Sequence, residues 1–179
     1  NTRRLLGLVH DVLETARIES RALQISLQPT SLGDVMSAAI LSLRDLAKTH
    51  EVTIVSRLGQ DLPRVSADSL RLNDVFTNLL SNAIKFSPHG SEVEIAARAT
   101  EGIVAVEVVD HGVGMAADEQ PHVFEKFWHA VGVPASHEHS GLGLFITKHL
   151  VELMGGSMRF VSEKDKGSTF TIELKRAEG

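Results

Sequence analysis

Within the stretch "RLNDVFTNLLSNAIKFSPHG", Asn78, Asn82 and Lys85 follow one another at intervals of four and three. In a helix those intervals stack the side chains one above another, so two amides and an ammonium share one stripe. An amide carbonyl is a suitable oxygen donor for a hard cation such as Mg2+, and an ammonium neutralises phosphate oxygen. On that chemistry Asn82 reads as a metal ligand and Lys85 as a phosphate contact. Three glycine-bearing breaks accompany the stripe: "DHGVGM", "SGLGL" and "KGSTF". Gly141 and Gly143 sit where an amphipathic helix begins, and the backbone N–H groups and positive dipole end of such a start favour phosphate. Asp110 closes a predicted strand just before flexible glycines, where its carboxylate can accept a hydrogen bond from an exocyclic amine such as that of adenine. These residues together point to ATP with Mg2+.

The elements that must hold them can be read from periodicity. Leu6, Val9, Leu13, Ala16 and Leu23 alternate at three and four, a helical seam that calls for a partner helix. "LQISLQP" alternates like a strand, and Thr30 or Ser31 can cap a second helix running to about Lys48. "VTIVSRL" reads as a strand, residues 69–86 as the helix that carries the stripe, and "EVEIAARA" with "IVAVEVVD" as a hairpin. A long irregular stretch follows, residues 116–140, with one short helical piece near "PHVFEKFW". "LGLFITKHLVELMGG" is a helix closed by glycines, and "SMRFVSEKDKGSTFTIELK" a second hairpin. The order predicts an α+β chain, a two-layer α/β sandwich with helices packed on one face of a mixed sheet, preceded by a single long helix.

Composition narrows the function. The 179 residues carry a net charge of −5 with their 18 basic residues scattered, which offers no field for nucleic acid. There is no cysteine, so disulfides and thiolate metal sites are excluded. No apolar run approaches the roughly 20 residues of a membrane span, so no membrane contact is expected of this stretch; the expected location, a separate reading, is cytoplasmic. The opening "NTRRLLGL" lacks an initiator Met, and the chain is expected to be a fragment of a longer parent, with or without a membrane anchor. His137 and His139 flank Glu138 on a loop without a third ligand, a pattern that reads as solvated polarity and not as a metal pair.

"NLLSNAIKFS", "DHGVGM", "FEKFW", "SGLGLFITKHLVELMGG" and "GSTFTIEL" stand in an order and spacing that resembles the asparagine, first glycine, phenylalanine, second glycine and last glycine boxes of sensor histidine kinases, within the gyrase, chaperone, histidine kinase and MutL ATPase superfamily. The resemblance covers essentially the whole chain. Residues 1–24 resemble the end of the dimerisation and phosphotransfer helix, and 25–179 the catalytic domain with its Bergerat-type ATP-binding fold. It implies that Asp110 bonds the adenine amino group and that Gly112 and Gly114 turn the chain against the nucleotide. Asn82 would hold Mg2+, Asn78 a phosphate or a metal-bound water, Lys85 the phosphates, and Phe86 the base or ribose. Gly141, Leu142, Gly143 and Leu144 would offer backbone N–H groups to phosphate, Thr169 would support the adenine, and Phe124 and Phe127 would anchor a lid.

The implied reaction moves the γ-phosphoryl group of ATP to a histidine of the dimerisation domain and onward to an aspartate of a response-regulator receiver domain. A homodimeric parent is expected. The acceptor is expected outside this chain, because His10 in "HDVLET" has the neighbouring acid of an acceptor motif but Glu14 where Thr or Asn belongs. His129, after the phenylalanine box, and His139, before "SGLGL", depart from the family pattern. The competing readings are a nucleotide-binding pseudokinase and an anti-sigma-type serine kinase. An ATPase-gated clamp fits less well, since Asn78 stands where such proteins place a basic Glu.

Overall fold

The computed structural model describes residues 2–59, 61–128 and 140–178, and side chains from Leu6 onward. His129, His137 and His139 lie outside the described residues. The chain opens with α1 (Thr2–Glu19), then β1 (Gln28–Thr30), α2 (Leu32–Ser42), α3 (Arg44–Thr49), β2 (Thr53–Arg57), β3 (Val65–Ala67) and α4 (Ser69–Phe86). It continues with β4 (Glu92–Ala99), β5 (Ile103–Asp110), α5 (Gly143–Leu153), β6 (Ser157–Glu163) and β7 (Gly167–Lys175). A five-stranded sheet runs β2-β4-β5-β7-β6, with β2 parallel to β4 and every other pair antiparallel. This is the predicted α+β sandwich: a mixed sheet with the helical layer on one side.

α4 is the central beam. Its N-cap Asp68 accepts from the amides of Leu70 and Arg71, satisfying two donors that the helix start would leave orphaned. Leu72, Val75, Phe76, Leu79, Leu80, Ala83 and Ile84 form its buried stripe. They meet Val93 and Ile95 of β4, Val104, Val106 and Val108 of β5, and Phe170, Ile172 and Leu174 of β7 in one core. The alternation along β5 and β7 puts these apolar residues on the helix side and Asp110 with Ser168 at the end of the same row, because Asp110 pairs with Ser168 and Val108 with Phe170.

Three elements differ from expectation. The single helix expected to reach Lys48 breaks at Leu43 into α2 and α3. The Ser42 hydroxyl donates to the Ala39 carbonyl at 2.8 Å, and the Leu43 amide turns to Ile40, one residue short of the α-helical partner. The strand expected over "LQISLQP" shrinks to Gln28–Thr30, which pairs with β3, a strand the periodicity did not announce. Leu23 and Ile25 alternate because they pack on the core, while the Ser26 amide donates to Asp68 in place of a ladder partner. The helical piece near "PHVFEKFW" is only a 3-10 turn, Gln120–His122, and Phe127 at φ 60 breaks any continuation.

The long α1 presents its polar side to the domain. Glu14 is 3% exposed and Thr15 is buried, whereas Leu6, Val9 and Leu13 of the predicted seam face outward.

Candidate functional site

A cavity of about 750 Å3 opens among α4, α5 and the ends of β5 and β7. It gathers Asn78, Asn82, Lys85, Phe86, Asp110, Gly114, Gly141, Gly143 and Leu144 onto one wall system. The helical stripe read from the sequence therefore faces a real crevice. Because a helix rises 1.5 Å per residue, Phe86 and Asn78 stand about 12 Å apart along α4, which gives the wall a base end near Asp110 and a far end near α5.

Asp110 anchors the first end. Its Oδ1 accepts from the amide of Gly112 at 2.9 Å and from that of Ser168 at 3.2 Å. Among the described residues Oδ2 has no partner, so the protein holds one oxygen and leaves the other unbonded. Burial pushes the carboxyl above the usual carboxylate range, and the two amides and His111 only partly oppose it. Asp74, one turn below Asn78, is likewise raised by burial despite the neighbouring Arg71 guanidinium.

The first glycine pair is demanded by the protein itself. A Cβ at Gly112 would run into the Phe86 carbonyl and sit 2.9 Å from Asp110 Oδ1, and one at Gly114, where φ is +57, would collide with the Glu163 carbonyl. These glycines dock the loop against α4 and against the β6–β7 turn, and Gly114 lines the cavity while Gly112 does not. Gly141, at φ +67, opens the second glycine turn.

Asn78 has two neighbours on α5. Its Nδ2 donates to Thr147 Oγ1 at 2.8 Å, and its Oδ1 lies where a Cβ at Gly143 would come within 2.5 Å. Gly143 is thus glycine so that the amide can pass. Asn82, one turn on, has no hydrogen-bond partner among the described residues, and its amide lines the cavity next to Lys85. A neutral oxygen donor beside a cationic side chain fits a divalent ion whose charge is met mainly by phosphate.

Four other expected residues lie outside the cavity lining. Thr169 belongs to the outer face of the sheet, between Val109 and the exposed Val161. Ser168 occupies the cavity-facing position next to Asp110, a shift of one residue that flips the side chain across the sheet. Leu142 is buried, and its amide donates to Ser140 Oγ at 3.2 Å. Phe124 packs edge-on against Phe160, with Lys148 over its ring at 4.9 Å. Phe127 is 63% exposed, at a φ of 60°.

The sequence reading missed the wall that α1 supplies. His10, Asp11 and Glu14 line the far end of the cavity. Ser140 Oγ donates to Asp11 at 2.6 Å, Glu14 accepts from Arg71 and Arg17 at 3.0 Å each, and Lys126 pairs with Glu19. The signal existed, since Asp11, Glu14 and Ile18 recur at helical spacing on the side opposite the apolar seam.

A two-layer sandwich with a polar helix wall, a buried strand-end carboxylate and glycine corners around one crevice defines a nucleotide-binding fold. Residues 67–178 match the family model for histidine kinase-, DNA gyrase B-, and HSP90-like ATPases, and the chain belongs to that family. It is 33% identical over its full length to the sensory/regulatory protein RpfC of Xanthomonas campestris pv. campestris, of which it spans 26%. Among solved structures it is similar to full-length ShkA in complex with AMPPNP, with a TM-score of 0.83 and 31% identity over 98% of this chain and 37% of that one. The mycobacterial sensor histidine kinase MprB matches with a TM-score of 0.72 and 25% identity, covering 86% of this chain and 100% of that chain. The chain thus spans about a quarter of the curated relative's length. No helix among the described residues is long and apolar enough to cross a membrane.

Proposed function

We propose that this chain is the catalytic ATP-binding domain of a two-component sensor histidine kinase, preceded by the end of its dimerisation helix. It directs the γ-phosphoryl group of Mg-ATP to a histidine of the dimerisation and phosphotransfer domain, from which a response-regulator aspartate receives it. One observation carries the reading: Asp110, Asn82, Lys85 and Gly143 meet in a single cavity, so groups suited to an exocyclic amine, a divalent ion and phosphate line the same crevice.

Each residue has a separate task. Asp110 Oδ2 accepts from the adenine amino group while Oδ1 stays fixed by two backbone amides. Ser168, and not Thr169, flanks the adenine. Asn82 binds Mg2+ through its amide oxygen, and Lys85 approaches the phosphates. Gly141 and Gly143 bring the start of α5 close to them. The metal would neutralise phosphate charge as the γ-group leaves, and the chain's own work is positioning and electrostatics, because a neutral imidazole is already a nucleophile. The outward seam of Leu6, Val9 and Leu13 supports a homodimeric parent through helix pairing. A cytoplasmic location suits such a domain.

Titration of an ATP analogue with and without Mg2+ tests the site. Asp110→Ala should lose adenine recognition, and Asn82→Ala mainly the metal-dependent share of affinity. Phosphotransfer should appear when an acceptor-bearing dimerisation domain is added, and should survive His10→Gln. Undiminished Mg2+-dependent affinity in Asn82→Ala would sink the assignment, and binding without any transfer would reduce it to a pseudokinase.

A further inference from the structure

We propose that Thr147 is a positioning residue that decides which end of the Asn78 amide the nucleotide meets, and so makes binding depend on hydrated Mg2+. The inference rests on the nucleotide reading above and goes further, to a residue on the opposite helix that neither the family motif nor the stripe on α4 singles out.

Thr147 is a polar residue, 1% exposed, in the buried stripe of α5 with Leu150 and Val151. Its Oγ1 accepts from Asn78 Nδ2 at 2.8 Å. That bond takes up one of the two N–H groups of the amide and holds the NH2 end against α5. The acceptor end, Oδ1, is left beside Gly143, where the absence of a Cβ gives it room, and it has no partner among the described residues. An amide oxygen can accept from a water molecule held on a metal but repels a phosphate oxygen, which is also an acceptor; an amide NH2 would do the reverse. With Thr147 in place, Asn78 therefore contacts metal-bound water and not phosphate. The same bond joins α4, which carries Asn82 and Lys85, to α5, which begins at the glycine turn.

Thr147→Val keeps the side-chain shape and removes the hydroxyl. The amide is then free to turn its NH2 toward phosphate, so affinity for metal-free ATP should rise and the ratio of affinities with and without Mg2+ should fall about tenfold. Thr147→Ser restores the acceptor and should restore the ratio. Asn78→Asp places an oxygen on both sides, so in that background Thr147→Val should leave the ratio unchanged. Adenosine, which reaches neither metal nor phosphate, should bind all four variants like the parent chain and reports an intact cavity.

The proposal is overturned if Thr147→Val keeps the parental Mg2+ ratio, or if Thr147→Ser loses it equally. It is also overturned if adenosine affinity drops along with the ratio, which would mark Thr147 as a packing residue only. Failure of the parent chain to bind any adenine nucleotide would instead refute the assignment of the site.

Discussion

Glu14 of α1 and Arg71 of α4 meet at 3.0 Å, and Glu14, 3% exposed, also accepts from Arg17. The approach to the nucleotide cavity is therefore walled by a helix that is tied to the domain through a buried carboxylate. Removing Arg71 leaves Glu14 with Arg17 on one oxygen and strips the other of its charged donor, at a cost of about 2 kcal/mol. Arg71→Ala should accordingly loosen α1, and hydrogen exchange should speed up across residues 6–19 while the amides of β5 and β7 keep their protection. Uniform exchange across the chain, or none, would contradict the contact as the tie.

Burial holds Asp110 above the usual carboxylate range, with a definite consequence for acid. A carboxylate whose folded pKa is raised disfavours the folded state while it is ionised, so its cost is present at neutral pH and is relieved as pH falls through the raised value. Adenine binding runs the other way, because Oδ1 is held by two backbone amides and the proton goes to Oδ2, which then turns an O–H toward the amino group. Affinity should start to fall at a pH above the usual carboxylate range, at a point where stability does not drop on account of this group.

Asp110→Asn separates the two effects. An Asn amide oxygen can still accept from Gly112 and Ser168, while its NH2 would oppose the adenine amine donor to donor. The variant should be at least as stable as the parent in thermal melts. Its ATP affinity should fall on the order of 100-fold, or about 2.7 kcal/mol.

Much of this site was legible in sequence because its signals are local. The interval between Asn78, Asn82 and Lys85 fixes a face of α4, and glycines mark the corners, so the cavity wall could be drawn from spacing alone. What escaped depends on contacts distant in sequence or on strand parity. Thr147 looks like one more position of an amphipathic helix until its hydroxyl is seen to meet a residue 69 positions away. Asp11 and Glu14 look like the solvated flank of a coiled-coil helix, whereas they face the cavity. The helix break at Leu43 turns on one hydroxyl bond of Ser42, below the resolution of periodicity.

Gly114 offers a stability test that does not involve the ligand. At φ +57, with the Glu163 carbonyl in the path of any Cβ, alanine is both strained and obstructed. Gly114→Ala should destabilise the chain by about 2–3 kcal/mol and lower the melting temperature by several degrees. Gly59, where a Cβ meets nothing within 4 Å, should accept alanine with little change.

Strand parity at the start of β7 supplies the last test. Ser168 pairs with Asp110 across the ladder and faces the cavity, and its Oγ lies 2.9 Å from Ser162 Oγ, which itself accepts from the Met115 amide. Thr169 faces the other side of the sheet beside Val161. Ser168→Ala should weaken ATP and adenosine alike, about fivefold to tenfold for one hydrogen-bonding group at roughly 1 kcal/mol, because the lost hydroxyl serves the base end and not the phosphates. Thr169→Ala should bind both like the parent, though it removes a β-branched residue from an exposed pair and should cost a few tenths of a kcal/mol in stability. Calorimetric titration of the two variants decides between neighbours one residue apart: a loss confined to Thr169→Ala would place the adenine on the opposite face from Asp110 and overturn the geometry of the site.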